Sequence, residues 1–261
     1  MSKIKEKATV ISQEMLVEGI YSMWIRTEIG DAVAGQFISV YSKDSSKLLP
    51  RPISICEVEE GRLRIVYRVV GEGTKEFSSY KEGDAITILG PLGNGYPVAQ
   101  FRSEYAGRKV LLIGGGIGIP PMLELAKQLK SCADVQIVAG YRNRDELFLT
   151  GELESAGELT IATDDGSYGI GGTVIDAIKQ SCITSDLICA CGPKPMLRGV
   201  KMLADEWKVE AYISMEERMA CGVGACLGCV CKSTGTDDHS KVNNKRVCKD
   251  GPVFPASEVE L

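Results

Sequence analysis

At 261 residues, 44% hydrophobic and 25% charged, the chain has the composition of a soluble globular protein with room for two ordinary domains or one large one. Its formal net charge of -5 and the lack of a basic run argue against nucleic acid or an anionic membrane as the main partner. The N-terminal Met1-Ser2-Lys3-Ile4-Lys5-Glu6-Lys7 alternates charge unlike a secretory signal, and the longest uncharged apolar stretch, 110–123, is too short to span a bilayer, so a cytoplasmic location is expected.

From residue 7 to 89 the pattern is short strands, 7–14, 20–28, 36–41, 53–58, 62–70 and 85–89, rich in Val, Ile, Tyr and Phe and punctuated by Gly35, Gly61, Gly71 and Gly83. Six such strands predict a small antiparallel barrel. One short helix interrupts them, expected to start at Thr74 as N-cap and to run to about Tyr80. Its N-terminus at Gly73 and Thr74 would suit an anion, and Arg51, in Arg51-Pro52-Ile53-Ser54, offers a bidentate phosphate contact. Together these features suggest a diphosphate site. Taken singly, each is only a cap or a turn.

After Gly107 the period changes. Apolar runs at 110–113, 135–139, 159–162, 187–190 and 211–214 alternate with helical stretches 121–130, 173–180 and 194–207, which predicts βαβ units on a parallel sheet. The boundary is expected near 100–107. Gly114-Gly115-Gly116-Ile117-Gly118-Ile119-Pro120-Pro121 follows a strand and opens a helix, the setting in which glycines let the backbone approach a pyrophosphate. The motif departs from the usual dinucleotide fingerprint and leaves the nucleotide unspecified. Asp164 and Asp165 also fall beyond the carboxyl end of a strand, although they could merely shape a turn before Gly166. Cys191 reads equally well as a small buried residue. Arg142 and Arg144 could meet a 2′-phosphate, which the acidic pair would repel.

The C-terminal stretch holds the strongest signal. Cys221, Cys226 and Cys229, with Cys248 after eighteen further residues, have the C-x4-C-x2-C...C spacing of a plant-type 2Fe-2S site. Gly222, Gly224 and Gly228 between them suit a loop that wraps closely and points amides at sulfur. The alternative is structural zinc, which more often shows two C-x2-C pairs. Cys231 is read as a packed neighbour, and Cys56, Cys132, Cys182 and Cys189 as small buried residues. His239, the one His, is read as a loop residue, which leaves little for His acid–base chemistry.

The order Arg-x-x-Ser, Val66-Tyr67-Arg68, Gly73-Thr74 and Gly90-Pro91-Leu92-Gly93, then Gly114 to Pro121, Cys191-Gly192-Pro193 and Met196, resembles the ferredoxin reductase superfamily. That resemblance implies FAD contacts at Arg51, Pro52, Ile53, Ser54, Val66, Tyr67, Arg68, Gly73 and Thr74, with the Tyr-containing strand lining the flavin and Ile53 where many members have Tyr. It also implies nicotinamide nucleotide contacts at Gly115, Gly116, Gly118, Asp164, Cys191, Gly192, Pro193 and Met196. The expected layout is a six-stranded FAD-binding barrel at 1–100, a parallel-sheet NAD-binding α/β domain at 101–214 and a small 2Fe-2S domain at 215–261.

Residues 215–231, Met-Glu-Glu-Arg-Met-Ala-Cys-Gly-Val-Gly-Ala-Cys-Leu-Gly-Cys-Val-Cys, with Val-Cys-Lys-Asp-Gly-Pro-Val-Phe at 247–254, closely resemble the electron-transfer subunits of the NAD-linked, two-subunit dihydroorotate dehydrogenases. The resemblance implies a relay in pyrimidine synthesis, from an FMN-containing catalytic subunit through the cluster and FAD to NAD, in an assembly of two catalytic plus two electron-transfer subunits. Two alternatives stay open: a flavin subunit of a ferredoxin-linked NAD(P)H oxidoreductase or hydrogenase complex, and a non-catalytic zinc-bearing assembly protein.

Overall fold

The computed structural model describes residues 3–44, 46–236 and 241–261, so His239 lies outside the described residues. The six expected barrel strands form, as β1 (Ile4–Val17), β2 (Ile20–Arg26), β3 (Phe37–Tyr41), β4 (Arg51–Glu59), β5 (Arg62–Arg68) and β6 (Ala85–Leu92). They close in the order β1-β2-β5-β4-β3-β6 with antiparallel pairing throughout. Side chains alternate across the wall, so Ala8, Val10, Ile25, Ile38, Val40, Ile55, Ile65 and Tyr67 meet in one core. The helix between β5 and β6, α1 (Glu72–Phe77), has its N-cap three residues before the position expected. Gly71 is its N-cap, and Thr74 sits in the first turn, its Oγ1 accepting from the N–H groups of Val70 at 3.0 Å and Gly71 at 3.3 Å.

Past the barrel, α2 (Val98–Glu104) covers part of the stretch read as a boundary, anchored by Phe101, whose ring lies 5.0 Å from that of Tyr212. The parallel strands are β7 (Lys109–Gly115), β8 (Asp134–Tyr141), β9 (Glu158–Thr163), β10 (Ile170–Gly171), β11 (Leu187–Cys191) and β12 (Glu210–Ser214). Four helices connect them: α3 (Ile119–Leu129), α4 (Thr150–Ala156), α5 (Val174–Gln180) and α6 (Lys194–Trp207). Val110 to Ile113 are wholly buried, as a strand covered on both faces requires. Pro120 and Pro121 open α3, where the missing N–H costs nothing. The C-terminal stretch adds the hairpin β13 (Val230–Lys232) and β14 (Asn244–Arg246), then β15 (Val253–Pro255), which pairs antiparallel with β12. The resulting seven-stranded order is β10-β9-β8-β7-β11-β12-β15. Chain direction across the sheet reverses between β7 and β11, the switch point at which open α/β sheets bind ligands.

The barrel and the sheet meet through a buried polar seam. Glu57 on β4 accepts from Arg64 Nη1 at 2.6 Å and also from Lys127 Nζ of α3, while Arg64 Nε donates to Ser22 Oγ at 2.8 Å. Glu124 of α3 accepts the Val58 N–H at 3.1 Å and Gln128 Nε2 at 2.7 Å. Burial raises the Glu124 carboxyl above its usual range, against the pull of those two bonds. Arg64 and Glu57 are both buried, and removing Glu57 leaves Arg64 Nη1 only the more distant Glu152 Oε1 at 3.5 Å. Glu57→Ala is expected to cost about 3 kcal/mol or more of unfolding free energy, measured as a lowered midpoint in chemical denaturation; a loss within about 0.5 kcal/mol, the range of an ordinary surface change, would contradict the seam.

Candidate functional site

The β4–β5 ladder stops early. Its last pair toward α1 is Ile55 with Ile65, so 51–54 pair only with β3, and 66–68 only with β2. Between these segments the barrel wall carries a slot, edged by backbone on both sides. Arg51, Pro52, Ile53 and Ser54 are half-exposed along one edge. At the end nearest α1, a Cβ on Gly73 would meet the Arg51 guanidinium carbon at 2.6 Å, so only glycine lets that guanidinium lie on the turn. The amides of Gly73 and Thr74 fall in the first turn of α1, where helix N–H groups have no intrahelical acceptor. Cation, free amides and a cradle that a Cβ would fill make this end of the slot fit for a diphosphate, and so for FAD.

The other edge carries Val66, Tyr67 and Arg68. The Tyr67 side chain points into the barrel, 1% exposed, with its ring 6.0 Å from that of Tyr21 and its hydroxyl donating to Gln13 Oε1 at 2.8 Å. Strand alternation sends it inward, so only the Tyr67 backbone faces the slot. Burial also raises the hydroxyl above its usual range. Val66 is buried in the core shared with α3, and Arg68 is half-buried, its Nη2 3.0 Å from Glu146 Oε2.

The glycine run and the Cys-Gly-Pro segment come together because β7 and β11 are neighbours, with Gly114 opposite Cys191. A Cβ on Gly118 would fall 2.7 Å from the Gly192 nitrogen, and one on Gly115 would meet Met196 Sδ at 2.6 Å and Pro193 Cδ at 3.1 Å. Gly116 takes φ +52°, which favours glycine. The turn at 116–118 packs against β5 and so lies beside the slot. Cys191 is half-buried; burial pushes its thiol up to about 12 while a hydrogen bond with Ser214 opposes the shift, so it is a neutral thiol at pH 7. Asp164 and Asp165 are exposed in the turn after β9, where Asp165 accepts from the Ser167 N–H at 2.9 Å and its hydroxyl at 2.6 Å. The turn-forming reading of Asp165 thus describes its contacts.

The Cys221–Cys229 loop aims its amides at sulfur. Cys221 Sγ accepts from Ala225 N–H at 3.3 Å and Val223 N–H at 3.5 Å, Cys226 Sγ from Gly228 N–H at 3.4 Å, and Cys229 Sγ from Cys248 N–H at 3.4 Å. Gly222 and Gly224 take φ +66° and +87°, which bends the loop to do so. Slight burial raises the Cys221 thiol, but the amides and Cys226 outweigh it and bring the thiol down to about 6. Burial and then Cys229 push Cys248 up to about 12. Amide donors on three of the four thiols fit an anionic iron–sulfur cluster. A 2Fe-2S cluster takes two Cys thiolates per iron. The loop also lies on the barrel: a Cβ on Gly222 would meet Ser39 Oγ at 2.9 Å. No sequence signal marked Ser39, nor Asn94, whose Nδ2 donates to the carbonyls of Lys249 at 3.0 Å and Asp250 at 3.1 Å.

Comparison with known proteins agrees with this geometry. The family profile described as "Iron-sulfur cluster binding domain of dihydroorotate dehydrogenase B" matches residues 216–260, and that of the "Oxidoreductase NAD-binding domain" matches residues 112–202. The chain is 43% identical over 267 residues to the electron transfer subunit of dihydroorotate dehydrogenase B (NAD(+)) of Geobacillus thermodenitrificans, covering 98% of this chain and 99% of the relative. It is 42% identical over 262 residues to the Listeria innocua subunit of the same name, covering 99% of this chain and 100% of the relative. Among solved structures, an NADH-dependent reduced ferredoxin-NADP oxidoreductase aligns with TM-score 0.83 and 30% identity over 98% of this chain and 90% of its own. A ferredoxin NADP+ reductase from Neisseria gonorrhoeae with bound FAD and NADP aligns with TM-score 0.66 and 18% identity over 83% of this chain and 95% of its own, a likeness of fold.

Gly118→Ala forces the turn after β7 away from the Cys191–Gly192 backbone. The expected result is a rise in KM for NADH of about 10-fold, with flavin content per chain unchanged. An unaltered KM would mean that this close approach does not shape the nucleotide site.

Proposed function

The chain belongs to the family of electron-transfer subunits of NAD-linked dihydroorotate dehydrogenase B, and from that premise we propose how its residues divide the work. It is an oxidoreductase subunit that passes electrons from the catalytic dihydroorotate dehydrogenase subunit through a 2Fe-2S cluster and FAD to NAD, in pyrimidine biosynthesis. When bound, FAD exchanges a hydride with nicotinamide and single electrons with the cluster, which makes it the point where the two currencies meet.

Arg51 and the amides of Gly73 and Thr74 hold the FAD diphosphate, and the backbone edges 51–54 and 66–68 seat the ring system, with Ser54 as polar donor and Tyr67 bracing the slot from inside. Gly115, Gly116 and Gly118 leave room for the dinucleotide backbone, while Cys191, Gly192, Pro193 and Met196 wall the nicotinamide end, where the neutral Cys191 thiol excludes water without adding charge. Asp164 stands at the rim. Cys221, Cys226, Cys229 and Cys248 hold the cluster, and the amides on their sulfurs disperse its negative charge.

One observation carries the relay order. Gly222 of the cysteine loop lies against Ser39 on β3, whose ladder partner is Pro52 on the slot edge, so a single strand spacing, about 5 Å, separates loop from slot. The glycine turn reaches the slot from its β5 side. A flavin seated in the slot would lie between the cysteine loop on the β3 flank and the glycine turn on the β5 flank.

The functional units are 1–100 for FAD, 101–214 for NAD and 215–261 for the cluster. The catalytic partner carries FMN and docks on the rim of the cysteine loop, where Leu227 and Val223 are exposed, in an assembly of two plus two subunits in the cytoplasm. Among the described residues no helix is long and apolar enough to cross a membrane. A ferredoxin-linked role ranks lower, because that structural relative is 30% identical against 43% for a dihydroorotate dehydrogenase subunit. In the assembled enzyme, Cys226→Ser is expected to abolish dihydroorotate-dependent NAD reduction while NADH oxidation by ferricyanide stays within about 3-fold of wild type. Equal loss of both activities would place the cluster elsewhere in the path.

A further inference from the structure

Ser39 sits where the barrel meets the cysteine loop, and none of the roles proposed above uses its hydroxyl. On β3 the side chains of Ile38 and Val40 join the barrel core, so alternation turns Phe37 and Ser39 to the outer face. That face is covered. Ser39 is 1% exposed, and a Cβ on Gly222 would lie 2.9 Å from its Oγ and 3.5 Å from Leu92 Cδ1.

Its other neighbours are apolar. Across the two ladders Ser39 faces Pro52 and Leu89, and Phe37 beside it belongs to the same core as Leu92, Cys229 and Cys248. Among the described residues, Ser39 Oγ makes no hydrogen bond. A buried hydroxyl left in that state is costly, whereas an alanine in the same place would carry no such penalty. The hydroxyl therefore fits an acceptor that arrives with a ligand. Gly222 directly follows Cys221, whose sulfur already accepts the N–H groups of Val223 and Ala225, so this loop is built to surround sulfur with donors.

We infer that Ser39 is a further cluster-contacting residue: its hydroxyl donates a hydrogen bond to a sulfur of the 2Fe-2S cluster held by the cysteine loop and raises the reduction potential of that cluster. Reduction adds negative charge, so a donor binds the reduced state more strongly, and hydrogen bonds to sulfur are among the factors that set such potentials. The cluster then accepts electrons more readily than it would beside an alanine. The inference rests on the cysteine assignment proposed above.

The test compares wild type with Ser39→Ala, both loaded with FAD and cluster. A redox titration reads the cluster potential by electron paramagnetic resonance and the flavin potential by absorbance. Electron–nuclear double resonance of the reduced cluster, before and after exchange into D2O, reads the exchangeable protons coupled to it. In Ser39→Ala the equilibrium constant for cluster reduction is expected to fall about 10-fold, a downward shift of about 59 mV, with one exchangeable-proton signal lost and the flavin potential unchanged. Ser39→Cys, whose thiol is a weaker donor, should fall between the two. An unchanged cluster potential, a shift confined to the flavin, or a fall without loss of the proton signal overturns the inference and leaves the cysteine assignment standing. A Cys221→Ser chain whose cluster signal is the same as in wild type overturns that assignment and the inference with it.

Discussion

The early end of the β4–β5 ladder at Ile55 and Ile65 is the constraint on which the arrangement depends. A closed barrel normally pairs every strand edge, and an unpaired backbone edge left buried is costly. Opening the wall over 51–54 and 66–68 leaves peptide groups in need of partners that a polar ligand can supply. The slot is thus both a local defect in the barrel and a binding site, and its two flanks determine what can reach a ligand seated there. On the β3 side stands the cysteine loop, and on the β5 side the glycine turn.

Those flanks hold their places through different chemistry. Toward the sheet, the Glu57, Arg64, Lys127 and Glu124 network fixes α3 against β4, with buried charges that must all be satisfied together. Such a seam specifies one orientation more sharply than apolar contact, because a small slide would strand an ion in a dry setting. Toward the cysteine loop the ties are backbone and apolar. Asn94 at the barrel exit donates to two carbonyls before β15, and β15 completes the sheet edge beside β12. Cys229, Cys231, Val247, Cys248 and Phe254 share a core with Phe37, Leu92 and Ile113, so the cysteine stretch folds on the two larger units rather than around a core of its own.

Much of this was legible in the sequence. The barrel strands could be read because alternation and glycine punctuation agree, and the sheet because its strands are continuous apolar runs separated by helical spacing. The cysteine spacing and the glycine run marked two candidate sites, the second without specifying the nucleotide. The failures have local causes. The sequence points to Thr74 as N-cap because Gly71 has no side chain to advertise that role, while Thr74 caps by reaching back from the first turn. In α2 only Phe101 is buried, which leaves no periodicity to detect. Period-two alternation fixes that Tyr67 opposes Val66 and Arg68, but does not say which side is the barrel interior. The Arg68–Glu146 pair joins residues 78 apart, and only folding brings them together.

The four sulfurs also differ in depth. Cys229 and Cys248 are 2% and 1% exposed and belong to the core beneath the sheet edge, whereas Cys226 is exposed and Cys221 is intermediate. A cluster held by all four must therefore reach from the core to the surface. Cys229 and Cys248 would hold it in the packing that includes Phe37 and Leu92 of the barrel, and Cys221 and Cys226 would hold it nearer the surface, on the loop where Val223 and Leu227 are exposed. Leu227 holds φ +57°, a conformation that costs about 1 kcal/mol or more for a side chain with a Cβ, and it points an apolar group outward. A residue held in that backbone state and left exposed adds nothing to the core. Of the four cysteines, Cys226 beside it is the exposed one.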